Sequence, residues 1–171
     1  MKNEQQLIGQ ILQGDQEKYA ELIDRYKDGL YLHCFSIVRD EDAAEDLAQE
    51  AFIQAYRQLK KYDEKYRFST WLYKIATNKA IDHLRKKSPH LLNDEELDNL
   101  KSQLPSPDVE ARFSELHHAV DNLPANFRSV LSLYYWQGQS YEEIAEIMQV
   151  PIGSVRGWIS RAKLILRKEL S

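Results

Sequence analysis

Residues 140–167 read SYEEIAEIMQVPIGSVRGWISRAKLILR. Ser140 followed by Glu143 has the spacing of a capping box, in which each side chain satisfies a free backbone N–H at the start of a helix. Ile144, Ala145 and Met148 then make a short apolar face, and Pro151 with Gly153 interrupts it. Val155, Ile159, Ala162 and Leu166 resume the pattern at spacings of four, three and four. Two short helices joined by a tight turn, the second basic on its outer side, are predicted. That arrangement lays a recognition helix in the major groove. With the apolar residues inward, Ser154, Arg156, Gly157, Ser160, Arg161 and Lys163 fall on or beside the free face. Arg156 is the best reader of a base edge, because a guanidinium grips guanine through two hydrogen bonds. Ser140 and Tyr141 stand where the first helix meets a phosphate. An ordinary helical hairpin with a solvated basic face is the alternative, and Trp158 suits either a core or a nucleic-acid contact.

The rest of the chain is also written in helical code. Six glycines and five prolines are spread over 171 residues, and apolar residues recur every three or four positions. Helices are expected at about 3–13, 16–37, 41–60 and 69–86, then at 113–122, 125–136, 141–148 and 153–169, an all-α fold. Three of the five prolines fall in residues 88–112, among many acids, so a flexible connector and a domain boundary are expected there. The lone Cys34 excludes an intramolecular disulfide. No cysteine and histidine spacing suits zinc, adjacent His117 and His118 point to different faces, and no cofactor is expected. No stretch approaches a membrane span or a signal peptide, which predicts a cytoplasmic protein with no direct membrane insertion.

A net charge of -4 argues at first against a nucleic-acid partner, but the charge is unevenly placed. Ten basic residues stand against three acidic ones between Tyr56 and Lys87, and five against one between Pro151 and Ser171. In the first of these patches aromatic and basic side chains interleave. Lys61, Tyr66, Arg67, Trp71, Lys74, Asn78 and Arg85 make a face able to hold a strand that has left the duplex, by ring stacking and backbone charge. The loop from Lys61 to Ser69 is placed to frame a pocket for an extruded base. Phe68, Trp71 and Tyr73, taken alone, read as core residues before they read as base platforms. On the preceding helix Asp46, Gln49, Glu50, Ile53 and Arg57 share one side, opposite Leu47, Phe52, Ala55 and Leu59. An acidic stripe with an exposed isoleucine suits a basic partner helix. A plain solvated face, or a two-carboxylate metal site, are the other readings; the second lacks further ligands.

DLAQEAFIQAYRQL (46–59), FSTWLYKIATNKAIDHLRKK (68–87) and LPANFRSVLSLYYWQGQSYEEIAEIMQVPIGSVRGWISRAKLILRKEL (123–170) together resemble the extracytoplasmic-function group of bacterial sigma factors. The resemblance implies a region-two domain at 1–87, a linker at 88–112 and a region-four domain at 113–171. It implies core RNA polymerase and promoter DNA as partners, commonly an anti-sigma factor, and no catalysis. Asp46, Gln49, Glu50 and Ile53 fall where the family binds the polymerase beta-prime clamp, with region four directed to the beta subunit. Lys61 to Arg85 fall where it melts and reads the minus-ten element, and Arg156 and Arg161 where it reads the minus-thirty-five element. The chain departs from the family pattern at Gly157 and Trp158, where a small polar and then a basic residue are usual. A stand-alone helix-turn-helix regulator would explain the C-terminal half but leave the aromatic basic helix and the acidic stripe without a role. A nuclease or recombinase would need a nucleophile or metal cluster that the sequence does not assemble. A structural adaptor would not need two basic faces.

Overall fold

The computed structural model describes residues 2–87 and 116–170, and among them there is helix and turn but no strand. The expected connector at 88–112 and the first residues of the helix expected at 113–122 lie outside the described residues. In the N-terminal half, α1 (Lys2–Leu12), α2 (Tyr19–Val38), α3 (Glu41–Gln58) and α4 (Phe68–Lys87) form a bundle. In the C-terminal half, α5 (residues 116–121) leads into α6 (Ala125–Leu131), a π-helical turn (Ser132–Trp136), α7 (Tyr141–Met148) and α8 (Ile152–Glu169).

Local chemistry explains where these helices begin and stop. Asp40 caps α3 by accepting from the Ala43 amide at 3.0 Å, and Glu41 and Asp42 follow in the first turn, where negative charge suits the helix dipole. The capping box of α7 is complete: Glu143 N–H donates to Ser140 Oγ at 3.1 Å, and Ser140 N–H to Glu143 Oε2 at 2.8 Å. Arg39 and Gln149 end α2 and α7 in the left-handed region, each at φ 56°. The expected helix at 16–37 begins instead with a 3-10 turn at Gln16–Lys18, and the one at 125–136 changes to π geometry from Ser132. The second helix of the predicted pair runs for 18 residues, close to the 153–169 expected, and Gly153, read as part of the break, lies inside its first turn.

Helical periodicity decides the cores. Leu22, Leu30, Ile37, Ala44, Ala51, Leu72 and Ala76 are buried in the N-terminal bundle, and α1 adds Leu7, Ile8 and Ile11. Phe127, Val130, Leu133, Ile144, Ile147, Val155 and Ile159 are buried in the C-terminal half. Each fully buried Val, Leu, Ile or Phe contributes about 1.5–3 kcal/mol, and the buried apolar residues of the two halves join in one cluster. Ile147, absent from the expected α7 face, is as deeply buried as Ile144.

The halves are not apart. α4 packs on α7, and α2 on α6 and the π-helical turn. His33, Ser69, Thr70, Thr77, Ser132 and Gln139 are all buried along this seam, which is therefore much more polar than either core.

Candidate nucleic-acid interface

α8 turns Val155, Trp158, Ile159 and Ala162 inward, leaving Arg156, Ser160, Arg161 and Lys163 exposed and Ser154 and Gly157 half-buried on its outer side. The predicted reading face is therefore assembled on one helix. Trp158 is only 9% exposed, which places it in the core rather than on that face. Arg161 lies back along its own helix, Nε donating to the Gly157 carbonyl at 3.4 Å, with its guanidinium 5.8 Å from the Phe127 ring centre. Lys163 Nζ stands 5.5 Å over the Tyr135 ring, and that phenol raises its pKa. Ser140 is exposed at the start of α7, while the Tyr141 ring leans on Tyr134 at 5.1 Å.

The face expected on α4 has a different setting. Tyr62, Phe68 and Trp71 form a cluster of rings 5.4–5.8 Å apart, and Phe68 and Tyr73 are core residues. Trp71 remains half-buried and lines a cavity of about 140 Å³ with Lys61, Asp63, Tyr66, Thr70 and Lys74. The 61–69 loop thus frames a pocket, as expected. Its remaining wall was not foreseen, because it is Glu146, from the other half of the chain. Lys74 Nζ is 2.6 Å from Glu146 Oε1, and the Arg67 guanidinium is 3.4 Å from Glu143 Oε1. Thr70 Oγ1 donates to Gln139 Oε1 at 3.1 Å, and the Tyr73 hydroxyl to Gln137 Oε1 at 2.6 Å. Asn78 is exposed, and Arg85 is exposed and paired with Asp82 at 3.3 Å.

On α3, Asp46, Gln49 and Ile53 are exposed on the outer side, Ile53 by half its surface. Glu50 reaches Lys79 of α4 at 3.1 Å, which fixes one end of the stripe. Leu47, Ala48, Ala51, Phe52 and Ala55 occupy the inner side. No group of three or more metal-ligating side chains occurs among the described residues, and none of their helices is long and apolar enough to cross a membrane.

Three seam residues carried no signal in the sequence. Gly29 lies so close to α4 and Gln137 that a Cβ there would stand 2.6 Å from the Tyr73 hydroxyl and 2.7 Å from Gln137 Oε1. Arg128 donates to the Ser36 and Ile37 carbonyls of α2 at 2.6 and 2.8 Å, and to the Leu123 carbonyl of its own half. His33 joins Thr77 Oγ1 at 2.8 Å to Ser132 Oγ at 3.3 Å. Burial holds the His33 pKa down to about 3, so the ring is neutral in the folded protein. An unfolded chain binds a proton there below about pH 6.5 and the folded one does not, so His33 costs stability as the pH falls from 6.5 toward 3 and nothing above that window. The loss is expected to approach about 1.4 kcal/mol per pH unit. His33→Gln should flatten that slope in urea melts between pH 6.5 and 4.5; an unchanged slope would remove His33 as its source.

Residues 22–89 match the Sigma-70 region 2 family, and residues 113–166 the Sigma-70 region 4 family. The chain is 38% identical to the ECF RNA polymerase sigma factor SigW of Bacillus subtilis, over 95% of this chain and 94% of that one. The chain belongs to the extracytoplasmic-function sigma factors. The RNA polymerase sigma-H factor of Pseudomonas aeruginosa is 35% identical over 99% of this sigma factor and 94% of its own length. Among solved structures, CnrH in complex with the cytosolic domain of CnrY superposes with a TM-score of 0.68 at 25% identity, covering 96% of this chain and 94% of CnrH. The sigma factor RpoE of Bartonella quintana, in complex with the anti-sigma factor NepR, shares the fold at a TM-score of 0.68 and 23% identity, over 90% of this chain and 97% of that one. This sigma factor is therefore a transcription initiation factor, and the stand-alone regulator is not favoured.

Proposed function

We propose that this sigma factor docks on the beta-prime clamp of core RNA polymerase through Asp46, Gln49, Glu50 and Ile53, and that its region four approaches the beta subunit. Residues 1–87 act as the polymerase-binding and minus-ten unit, 88–112 as the linker and 113–171 as the minus-thirty-five unit. Lys61, Tyr66, Arg67, Trp71, Lys74, Asn78 and Arg85 hold the melted minus-ten strand. Ser140, Tyr141, Ser154, Arg156, Gly157, Ser160, Arg161 and Lys163 hold the minus-thirty-five duplex. The protein works in the cytoplasm and catalyses nothing itself; it positions a polymerase that does. The observation that carries this reading is the coexistence, on a chain matching both sigma regions, of an exposed acidic and isoleucine stripe with two basic faces. Polymerase and promoter each bind weakly at several sites, and tethering adds those affinities through effective concentration.

An anti-sigma partner belongs to the same proposal. An apolar groove of about 720 Å³ opens between α2, α5 and α8, floored by Leu32, Phe35, Leu131 and Trp136 and edged by Arg39 and Lys163. Its composition suits an amphipathic helix with acidic flanks.

The docking reading is tested by Ile53→Asp, which leaves the buried side of α3 intact and is expected to abolish co-purification with core polymerase. Retained co-purification would place the docking surface elsewhere. Arg156→Ala is expected to weaken promoter binding by the holoenzyme by about 1–3 kcal/mol and to relax base preference at one minus-thirty-five position. A uniform loss over all sequences, measured on a library of that element, would make Arg156 a phosphate contact instead.

A further inference from the structure

We propose that in the free protein region four is an intramolecular inhibitor of region two, with α7 presenting Glu143 and Glu146 to α4 in the place of promoter phosphates. The inference rests on the assignment of α4 to the minus-ten strand. Three α4 or loop residues that would face that strand or its pocket are engaged by the other half: Arg67 by Glu143, Thr70 by Gln139 and Lys74 by Glu146; beneath them the buried Tyr73 hydroxyl donates to Gln137. Glu146 also closes one side of the pocket framed by the 61–69 loop and Trp71. A carboxylate 2.6 Å from Lys74 and a DNA phosphate cannot use that ammonium in the same way at once, so closure and strand capture compete.

The seam has the chemistry of a contact that opens. His33, Ser69, Thr70, Thr77, Ser132 and Gln139 meet one another through hydrogen bonds, and water can replace such partners at little net cost once the halves separate. The Lys74–Glu146 and Arg67–Glu143 pairs are partly exposed, so solvent screens them and they exchange readily. Each half keeps large buried apolar side chains, Leu22, Leu30 and Leu72 in one and Val130, Leu133 and Ile144 in the other, and the two sets join in one cluster, so opening exposes some apolar surface along with the polar groups and the closed form is the favoured one. Closure would also account for the acidic residues on the first helix of a helix-turn-helix, a position where they repel DNA. In the closed form they cover part of the α4 face that would otherwise bind single strands without polymerase.

The test uses the full chain, a fluorescein-labelled 20-nucleotide single-stranded DNA of random sequence read by anisotropy, and small-angle scattering for compactness. Gly29→Ala puts a Cβ 2.6 Å from the Tyr73 hydroxyl and 2.7 Å from Gln137 Oε1, so the Tyr73–Gln137 bond must shift and the seam is weakened without a change of charge, while alanine is otherwise the better helix residue at that position. Glu143→Gln with Glu146→Gln weakens it by charge, and glutamine preserves the capping box. Both variants are expected to expand the protein and, if no more than about a tenth of the wild type is open, to tighten strand binding about tenfold. A charge-matched control, Glu45→Gln with Glu142→Gln, should leave both readings at the wild-type values. Expansion without tighter binding would overturn the proposal, as would a wild type that is already extended. Adding Lys74→Gln to Gly29→Ala separates the two ideas. If it weakens strand binding while opening gains nothing, inhibition alone fails; if it has no effect, α4 is not the strand-binding face and both fail.

Discussion

Trp158→Ala is expected to lower stability by about 3–5 kcal/mol, the cost of truncating a large buried aromatic side chain. Trp158 sits on the inner side of α8 with Val155, Ile159 and Ala162, and its loss leaves a cavity in the core where α8 packs on α6 and α7. Promoter activity would fall with it, but as a consequence of unfolding: thermal melting followed by circular dichroism should show a lowered midpoint for the C-terminal half. A variant that melted like the wild type and lost only DNA binding would return Trp158 to the recognition face. The family departure at Gly157 and Trp158 then has a physical reading. The indole adds core area, and the Arg161 guanidinium lies back over the Gly157 position, with its nearest atom 3.4 Å from where a Cβ would stand, an ordinary contact.

Arg128→Ala is expected to cost about 3 kcal/mol and to separate the two halves. Its guanidinium makes two short bonds to the last carbonyls of α2, and charge-assisted bonds of this kind are worth about 1.5–3 kcal/mol each. Burial, reinforced by the nearby Arg39 charge, pulls the Arg128 pKa down to about 10, still far enough above neutrality for the side chain to stay charged. Those carbonyls lie at the negative end of the α2 dipole and would otherwise be left without a protein donor. Arg39, paired with Asp121, and the Arg39 guanidinium 4.6 Å over the Phe35 ring add to the same corner. Arg128→Lys should recover only part of the loss, since an ammonium does not fork between two carbonyls. A full recovery, read as the midpoint of urea unfolding together with the radius of gyration, would show that charge alone holds this corner.

The two effects differ in how far the sequence announced them. The core of α8 was legible because Val155, Ile159 and Ala162 repeat with the helical period, and the start of α7 because a capping box is a local signal that the fold has no reason to override. The acidic side of α3 was legible for the same reason: burial of Leu47, Ala48, Ala51, Phe52 and Ala55 forces Asp46, Gln49 and Ile53 outward. The seam left no such trace. Gly29, Thr70, Gln137 and Gln139 are small or polar, have no period, and acquire partners 64 to 108 residues away only when the halves meet. Charge patterning correctly found a basic α4 and could not show that part of the acid elsewhere in the chain folds onto it. The extent of α8 was legible too: nothing local stops it before Glu169, and the helix expected at 153–169 runs through a last turn carrying Arg167 and Lys168.

If this chain confers promoter selection on RNA polymerase, run-off transcription over a library of upstream regions, with core polymerase alone and with the protein added, reads it out. Discrete transcripts that appear only with the protein, and share two upstream elements, are the predicted result. A protein that neither binds core polymerase nor changes any transcript would contradict the account.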